Sequence, residues 1–276
     1  KLSSPTQDFR NYVQSFSPDL IAVSCTEDMF PNALTLLLAL DKRDRPLVVA
    51  GGVFPTFGPE LALRKAAGLI DFVLIGEGEE TLPELCRRLE LGQDVSSIQG
   101  VWFFRDDGQL HRSQLPDLID VNRVPLPTYD IFEESRFYRP MQGKVWRMFP
   151  IETHRGCPYT CAYCNSPMQN TLAKDSGLGK FIRRTHFNEF RNYIASVIEQ
   201  VQPTYFMFVD DSFLARPKKE IEEFCIMYEE FKIPFWFNTR PENITSENLK
   251  MLKQINCHRM SFGLECGNEE FRSKVL

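Results

Sequence analysis

Phe149-Pro150-Ile151-Glu152-Thr153-His154-Arg155-Gly156-Cys157-Pro158-Tyr159-Thr160-Cys161-Ala162-Tyr163-Cys164 is the stretch on which the reading of this sequence turns. Its first five residues read as a buried strand, and the strand runs straight into three cysteines spaced Cys-x3-Cys-x2-Cys. With eight cysteines in 276 residues, composition alone produces that spacing only about 0.007 times per chain. Thiolates are soft ligands, and three of them on one loop suit an iron–sulfur cluster. Three protein ligands on a four-iron cubane leave one iron open to a small molecule, as a catalytic zinc site keeps a position open. A zinc site with His154 as fourth ligand has the right donors as well and remains an alternative at this point.

Downstream, the pattern repeats. Phe187 to Gln200 reads as a helix and Tyr205-Phe206-Met207-Phe208-Val209 as a strand ending in Asp210-Asp211. Lys218 to Phe231 is helical, Pro234 to Asn238 a strand, Ser246 to Gln254 a helix, and Met260 to Leu264 a fourth strand. Serial βα units predict a parallel barrel, with its chemistry at the strand C-terminal ends. The polar motifs Asp210-Asp211, Asn238-Thr239-Arg240 and Gly263-Leu264-Glu265 all fall there. As structural features, either Asp can cap a helix and Arg240 can pair with an acid.

Upstream, Leu20 to Ser24, Leu47 to Ala50 and Asp71 to Ile75 are apolar runs without polar alternation, separated by helical stretches over Pro31 to Lys42, Pro59 to Ala67 and Thr81 to Leu91. Such runs predict parallel strands covered on both faces, a doubly wound α/β domain. Val101 to Phe104 and Leu110-His111, around Asp107-Gly108, read as an added hairpin. The expected organisation is a doubly wound domain over 1–115, a connection rich in Pro, Asp and Arg over 116–145, and a partial (β/α) barrel over 146–276. Where the connection meets the barrel, the aromatic and basic residues from Phe137 to Met148 suit either a cleft lining or plain packing.

The net charge of −5 offers no basic field for nucleic acid or anionic membrane. The longest apolar run, Leu34 to Leu40, is far too short for a bilayer. With no leader ahead of Lys1-Leu2-Ser3 and a clustered cysteine trio, a reducing cytoplasm is the expected setting. Both ends read as cut. The remaining cysteines (Cys25, Cys86, Cys225, Cys257 and Cys266) are expected to be buried or half-buried small residues. His186, His258 and the Arg183-Arg184 pair are expected to be structural or solvated.

Arg155 to Cys164 resembles the cluster loop of radical S-adenosylmethionine (SAM) enzymes, down to the aromatic Tyr163 before the third cysteine. The resemblance implies a [4Fe–4S] cluster on Cys157, Cys161 and Cys164 and a SAM molecule on its open iron. It also implies a small-molecule substrate and a one-electron donor such as flavodoxin or ferredoxin. It places Tyr163 beside the adenine, Asp210 and Asp211 toward the SAM amino group, Arg240 toward its carboxylate, and Gly263 and Glu265 at the ribose.

The first half resembles the cobalamin-binding domain that precedes the barrel in a large subgroup of these enzymes. The matching segments are Pro18 to Ser24, Gly51 to Phe57 and Ile75 to Leu82. The resemblance implies cobalamin contacts at Ser24, Gly51, Gly52, Gly76, Glu77 and Gly78. Glycines there let backbone approach a bulky corrin, in the crevice where open α/β sheets bind ligands. The Asp-x-His-x-x-Gly loop usual in that fold is not found in these residues: either it lies upstream of Lys1 or this member lacks it, and the sequence assigns no lower cobalt ligand. The implied activity is methyl transfer to an unactivated carbon, or a related radical reaction. A radical SAM enzyme without corrin and a non-catalytic zinc or cobalamin module are the alternatives.

Overall fold

The computed structural model describes residues 4–41, 45–125 and 127–275. The chain divides into two compact units, Lys1–Ile119 and Asp120–Leu276.

The first unit opens with helix α1 (Pro5–Phe16), which the sequence reading left without an element. It continues β1 (Leu20–Ser24), α2 (Phe30–Leu37), β2 (Leu47–Gly51), α3 (Val53–Phe57), α4 (Pro59–Ala66), β3 (Phe72–Leu74), α5 (Gly78–Glu90), β4 (Val101–Phe104) and β5 (Leu110–His111). The expected end of the second helix at Lys42 lies outside the described residues. Strand order is β1-β2-β3-β4-β5; the first three are parallel, and the β4–β5 hairpin joins antiparallel. Alternate residues of β2 explain the two-sided cover. Val48 and Ala50 pack with Leu37, Leu63 and Ala66 on one face, while Val49 packs with Leu85 and Val101 on the other. This is the doubly wound arrangement that near-continuous apolar strands demand.

The second unit runs β6 (Tyr138–Met141), β7 (Lys144–Ile151), β8 (His154–Arg155), α6 (Ser166–Asp175), β9 (Arg183–Arg184), α7 (Phe187–Val201), β10 (Tyr205–Phe208), α8 (Lys218–Tyr228), β11 (Phe235–Asn238), α9 (Ser246–Gln254), β12 (Cys257–Ser261) and α10 (Glu269–Val275). Its main sheet has the order β12-β11-β10-β7-β6, with β7, β10, β11 and β12 parallel and β6 antiparallel at the edge. The stretch expected to connect the domains over 116–145 therefore contains β6 and the start of β7. Prolines fit this plan: Pro140 is on the edge strand, and Pro150 lies beyond the last β6–β7 pair, Tyr138 with Arg147.

The two faces of this sheet differ. Phe149, Phe206, Phe208, Phe235 and Phe237 are all 0% exposed and pack against Phe190, Ile194, Phe224 and Leu252 of the flanking helices. The opposite row, Pro150–Met207–Trp236–Arg259, follows the strand register directly and is half-buried or open. Helices on one face and an open row on the other make a partial barrel.

Candidate functional site

The site is built from β8 outward. Gly156, between β8 and Cys157, has φ +91°, and a Cβ there would stand 2.8 Å from the Phe181 carbonyl oxygen ahead of β9. Glycine alone lets the cysteine loop turn this close to its neighbour. The loop ends at α6, where the Ser166 backbone N–H donates to the Cys164 Sγ at 3.4 Å. Cys157, Cys161 and Cys164 are free and half-buried. Burial pushes the Cys157 thiol up first, and the charges of Asp211, Cys161 and Cys164 push the same way, so these groups neighbour one another. Among the described residues no three His, Cys, Asp or Glu side chains converge on a single metal-ion position. A cubane attaches each thiolate to a different iron, so its ligands need not converge.

Three further strand ends reach this loop. After β11, the Arg240 Nη1 donates to the Cys161 Sγ at 3.3 Å. Its guanidinium lies 4.4 Å from the Tyr159 ring centroid, and the Tyr159 hydroxyl bonds the Asn243 Oδ1 at 2.6 Å. Arg240 also pairs with Glu242 at 3.2 Å. After β12, Glu265 adopts φ +60°, and its carboxylate folds back over Gly263, where any Cβ would overlap it. Tyr163 is 57% exposed, leaving a ring face open. Desolvation first, then Glu265 and Cys161, push its hydroxyl well above the ordinary tyrosine range. The structure thus gathers Cys161, Tyr163, Arg240, Gly263 and Glu265 from three separate segments.

After β10 the two aspartates part. Asp211 is exposed and its charge reaches Cys157; partial desolvation first and then Asp210 push its carboxyl up, against a hydrogen bond with Ser166. Asp210 is 1% exposed. Its Oδ1 accepts the Thr153 and His154 backbone N–H groups at 2.7 and 2.8 Å, and its Oδ2 accepts the Thr153 hydroxyl at 2.8 Å. Arg216 stands 3.6 Å away. The side chain expected to face the SAM amino group instead clasps the ends of β7 and β10 together.

Arg216, absent from the sequence reading, and Thr153, read there only as a strand residue, complete that clasp. The Arg216 Nη2 donates to the Thr153 hydroxyl at 2.7 Å and to the His154 Nδ1 at 2.8 Å. Burial pulls the His154 ring down to about 4, so it is neutral at pH 7. Its Nδ1 is taken by Arg216, while its buried Nε2 has no hydrogen-bond partner. The signal for Arg216 was thin: one cation closing the apolar run Phe213-Leu214-Ala215. Arg184 pairs with Glu220 at 2.9 Å rather than standing solvated. His258 is held by the Tyr205 hydroxyl at 2.9 Å. Cys86 is exposed, against the expectation of burial.

In the first unit, Ser24, Gly51-Gly52 and Gly76-Glu77-Gly78 all lie at strand C-terminal ends, with Ser24 opposite Gly51 in register. Gly52, at φ +98°, has the Cys25 carbonyl oxygen 2.9 Å from where a Cβ would be. The Gly76 N–H donates to the Thr56 hydroxyl at 3.1 Å, which in turn donates to the Gly52 carbonyl at 2.8 Å. Glu77 accepts the Ile119 N–H at 3.0 Å. Gly78 opens α5 with nothing within 4 Å of a Cβ. These turns leave a small-residue rim beside a helix N-terminus.

Residues 1–86 match the B12 binding domain family, and residues 151–275 match the Radical SAM superfamily. This chain belongs to the family that joins those two domains. The cofactors of that family are a [4Fe–4S] cluster, SAM and cobalamin. The chain is 27% identical over 268 residues to the uncharacterized methyltransferase PH0819 of Pyrococcus horikoshii, covering 94% of this chain and 54% of the relative. It is 27% identical over 261 residues to the anaerobic magnesium-protoporphyrin IX monomethyl ester cyclase of Synechocystis, covering 91% and 49%. It therefore spans about half the length of these relatives. In fold it is similar to the cobalamin-dependent SAM radical enzyme OxsB, solved with aqua-cobalamin and SAM bound. The TM-score is 0.70 at 19% identity, over 99% of this chain and 39% of that one. Among the described residues no helix is long and apolar enough to cross a membrane.

Proposed function

We propose that this family member cleaves SAM reductively at the cysteine loop and uses cobalamin to methylate an unactivated carbon of a small molecule. The observation that carries the reading is the meeting of Cys161, Tyr163, Arg240 and Glu265 at the strand ends. The residues fit the cofactors. Free thiols with N–H donors aimed at two of their sulfurs suit cluster ligands, because such hydrogen bonds stabilise sulfur-borne charge. The glycine rim of the first unit, closed to any Cβ at Gly52, suits a large planar ligand.

Cys157, Cys161 and Cys164 hold the cluster in this reading. Tyr163 offers its open ring face to the adenine, Glu265 accepts ribose hydroxyls over Gly263, and Arg240 holds the SAM carboxylate while donating to Cys161. Asp211 takes the amino group, and Asp210 acts behind it as a clasp. Ser24, Gly51, Gly52, Gly76, Glu77 and Gly78 form the corrin rim. Bound in these places, the cluster supplies an electron, SAM a 5′-deoxyadenosyl radical and cobalamin a methyl group. A reduced flavodoxin or ferredoxin in a reducing cytoplasm delivers the electron.

The test is anaerobic reconstitution. About four iron and four sulfide per chain, cobalamin absorbance after dialysis, and 5′-deoxyadenosine formed under dithionite are expected. A chain that takes up zinc instead, or that holds a full cluster without cleaving SAM, overturns the reading. Cluster and SAM cleavage without bound corrin favour the corrin-free alternative.

A further inference from the structure

The inner face of the second sheet carries a cavity of about 550 Å³ that the cofactor reading leaves unused. Its floor is Met148 of β7, Met207 of β10 and Trp236 of β11, on the face opposite the buried phenylalanines. Trp236 is pinned edge-on by its Nε1–H, which donates to the Ser261 Oγ at 2.9 Å, so a flat apolar surface stands ready with little rotamer freedom to lose. The two methionines beside it are unbranched and polarizable, and adapt to an irregular apolar shape.

Three arginines line the same cavity: Arg136, Arg139 and Arg259. Among the described residues, none of the three has a carboxylate within ion-pair distance. This contrasts with Arg147 on the neighbouring strand, which Glu134 holds in a two-point pair at 2.8 and 3.0 Å. Guanidinium groups beside apolar surface are weakly hydrated forks matched to carboxylate and phosphate. Three without an ion-pair partner among the described residues, set around one apolar floor, offer forks of donors that an incoming carboxylate or phosphate can pair with.

The cavity is also placed for the chemistry. Pro150, Met207, Trp236 and Arg259 sit one or two residues before the ends of their strands. That is about 3–7 Å along the strand from the residues that lead into the cysteine-loop site.

We propose that this cavity binds the substrate, and that the substrate is a flat, apolar molecule bearing a carboxylate or phosphate. The apolar body lies on Trp236 and the methionines, and the anion is held by Arg136, Arg139 and Arg259. The word substrate rests on the function proposed above; the binding preference does not, and the two fail separately.

The experiment titrates the reconstituted full chain with three probes by calorimetry: naphthalene-2-carboxylate, 2-naphthyl phosphate and the neutral naphthalene-2-carboxamide. The anions should bind about tenfold or more tighter than the amide. The double variant Arg139→Gln/Arg259→Gln should erase that preference while the amide affinity stays within about twofold, and Trp236→Leu should weaken all three. Arg136→Gln, at an exposed position, gives a milder loss of preference and guards against a double variant that misfolds. Equal affinity for anion and amide, a preference that survives the double variant, or no binding of any probe overturns the inference. Iron content and SAM cleavage are read on the same samples. If those fail while the anion preference holds, the radical reading falls and the anionic cavity stands.

Discussion

At the C-terminal ends of β1, β2 and β3 the chain places Ser24, Gly51, Gly52, Gly76 and Gly78; at the ends of β7, β10, β11 and β12 it places Thr153, Asp210, Arg240 and Glu265. Both sets occupy the position where parallel α/β sheets bind ligands. The first works by missing side chains: its hydrogen bonds run from backbone to Thr56, and its contribution is room. The second works by side-chain bonds, with a buried clasp beneath and open groups above. A corrin recognised by shape needs the first kind of edge. A small cofactor gripped at several polar points needs the second.

The largest expected effect lies in the second edge. Changing Cys157, Cys161 or Cys164 to Ala removes one of the three proposed cluster ligands. Iron content after reconstitution should fall from about four per chain to near zero, and 5′-deoxyadenosine formation should vanish. Cobalamin retention should be unchanged, because the glycine rim is built without these residues. A cysteine variant that loses cobalamin along with iron would break the contrast between the two edges.

Next comes the clasp. Asp210→Asn keeps the shape and removes the charge opposite Arg216, whose side chain is 2% exposed. Uncompensated buried charge of this kind costs about 3–5 kcal/mol. The urea midpoint should fall accordingly, and an unshifted midpoint would mean that Asp210 is not what holds β7 to β10.

The clasp also sets a pH dependence. Burial lowers the folded-state pKa of His154 to about 4, first by desolvation and then through Arg216 and Arg184, against the opposing pull of Asp210. The unfolded chain takes up that proton near pH 6.5, and the folded chain refuses it until about pH 4. Stability is therefore full above pH 6.5 and declines as the pH falls toward 4, by up to roughly 3 kcal/mol. Urea unfolding at pH 7.5 and pH 5 should show the loss, and His154→Asn should flatten it. Equal losses in both proteins would remove His154 as the cause.

Much of this is legible in the sequence, for identifiable reasons. The β1, β2 and β3 runs, the β4–β5 hairpin and the βα units around β10 and β11 follow from apolar runs and turn residues, which are local signals. Tyr163, Arg240 and Glu265 were picked out by family resemblance, and their meeting at Cys161 depends on tertiary placement. The clasp was half seen. Asp210 reads in sequence as facing a ligand, because sequence marks a carboxylate at a strand end without showing that Thr153, His154 and Arg216 surround it. Helices α1, α3, α6 and α10 and the edge strand β6 carry no element in the sequence reading. Nor do β8 and β9, two residues each, which are too short for any periodicity to register.

The smallest effect tests the first edge. Gly52→Ala brings a Cβ to 2.9 Å from the Cys25 carbonyl oxygen at φ +98°, ψ −167°, a region that is essentially glycine-only. The expected cost is about 1–3 kcal/mol, read as a lower melting temperature. Gly78→Ala adds the same methyl where nothing lies within 4 Å, so it should leave stability unchanged or raise it by up to about 1 kcal/mol. The pair separates two meanings of glycine on one rim. At Gly52 the backbone requires it; at Gly78 only a ligand would. Cobalamin binding should therefore weaken in Gly78→Ala even though the fold does not. If Gly78→Ala binds cobalamin like the unchanged protein, that turn is ordinary βα structure, and the corrin rim shrinks to the Ser24, Gly52 and Gly76 side of the crevice.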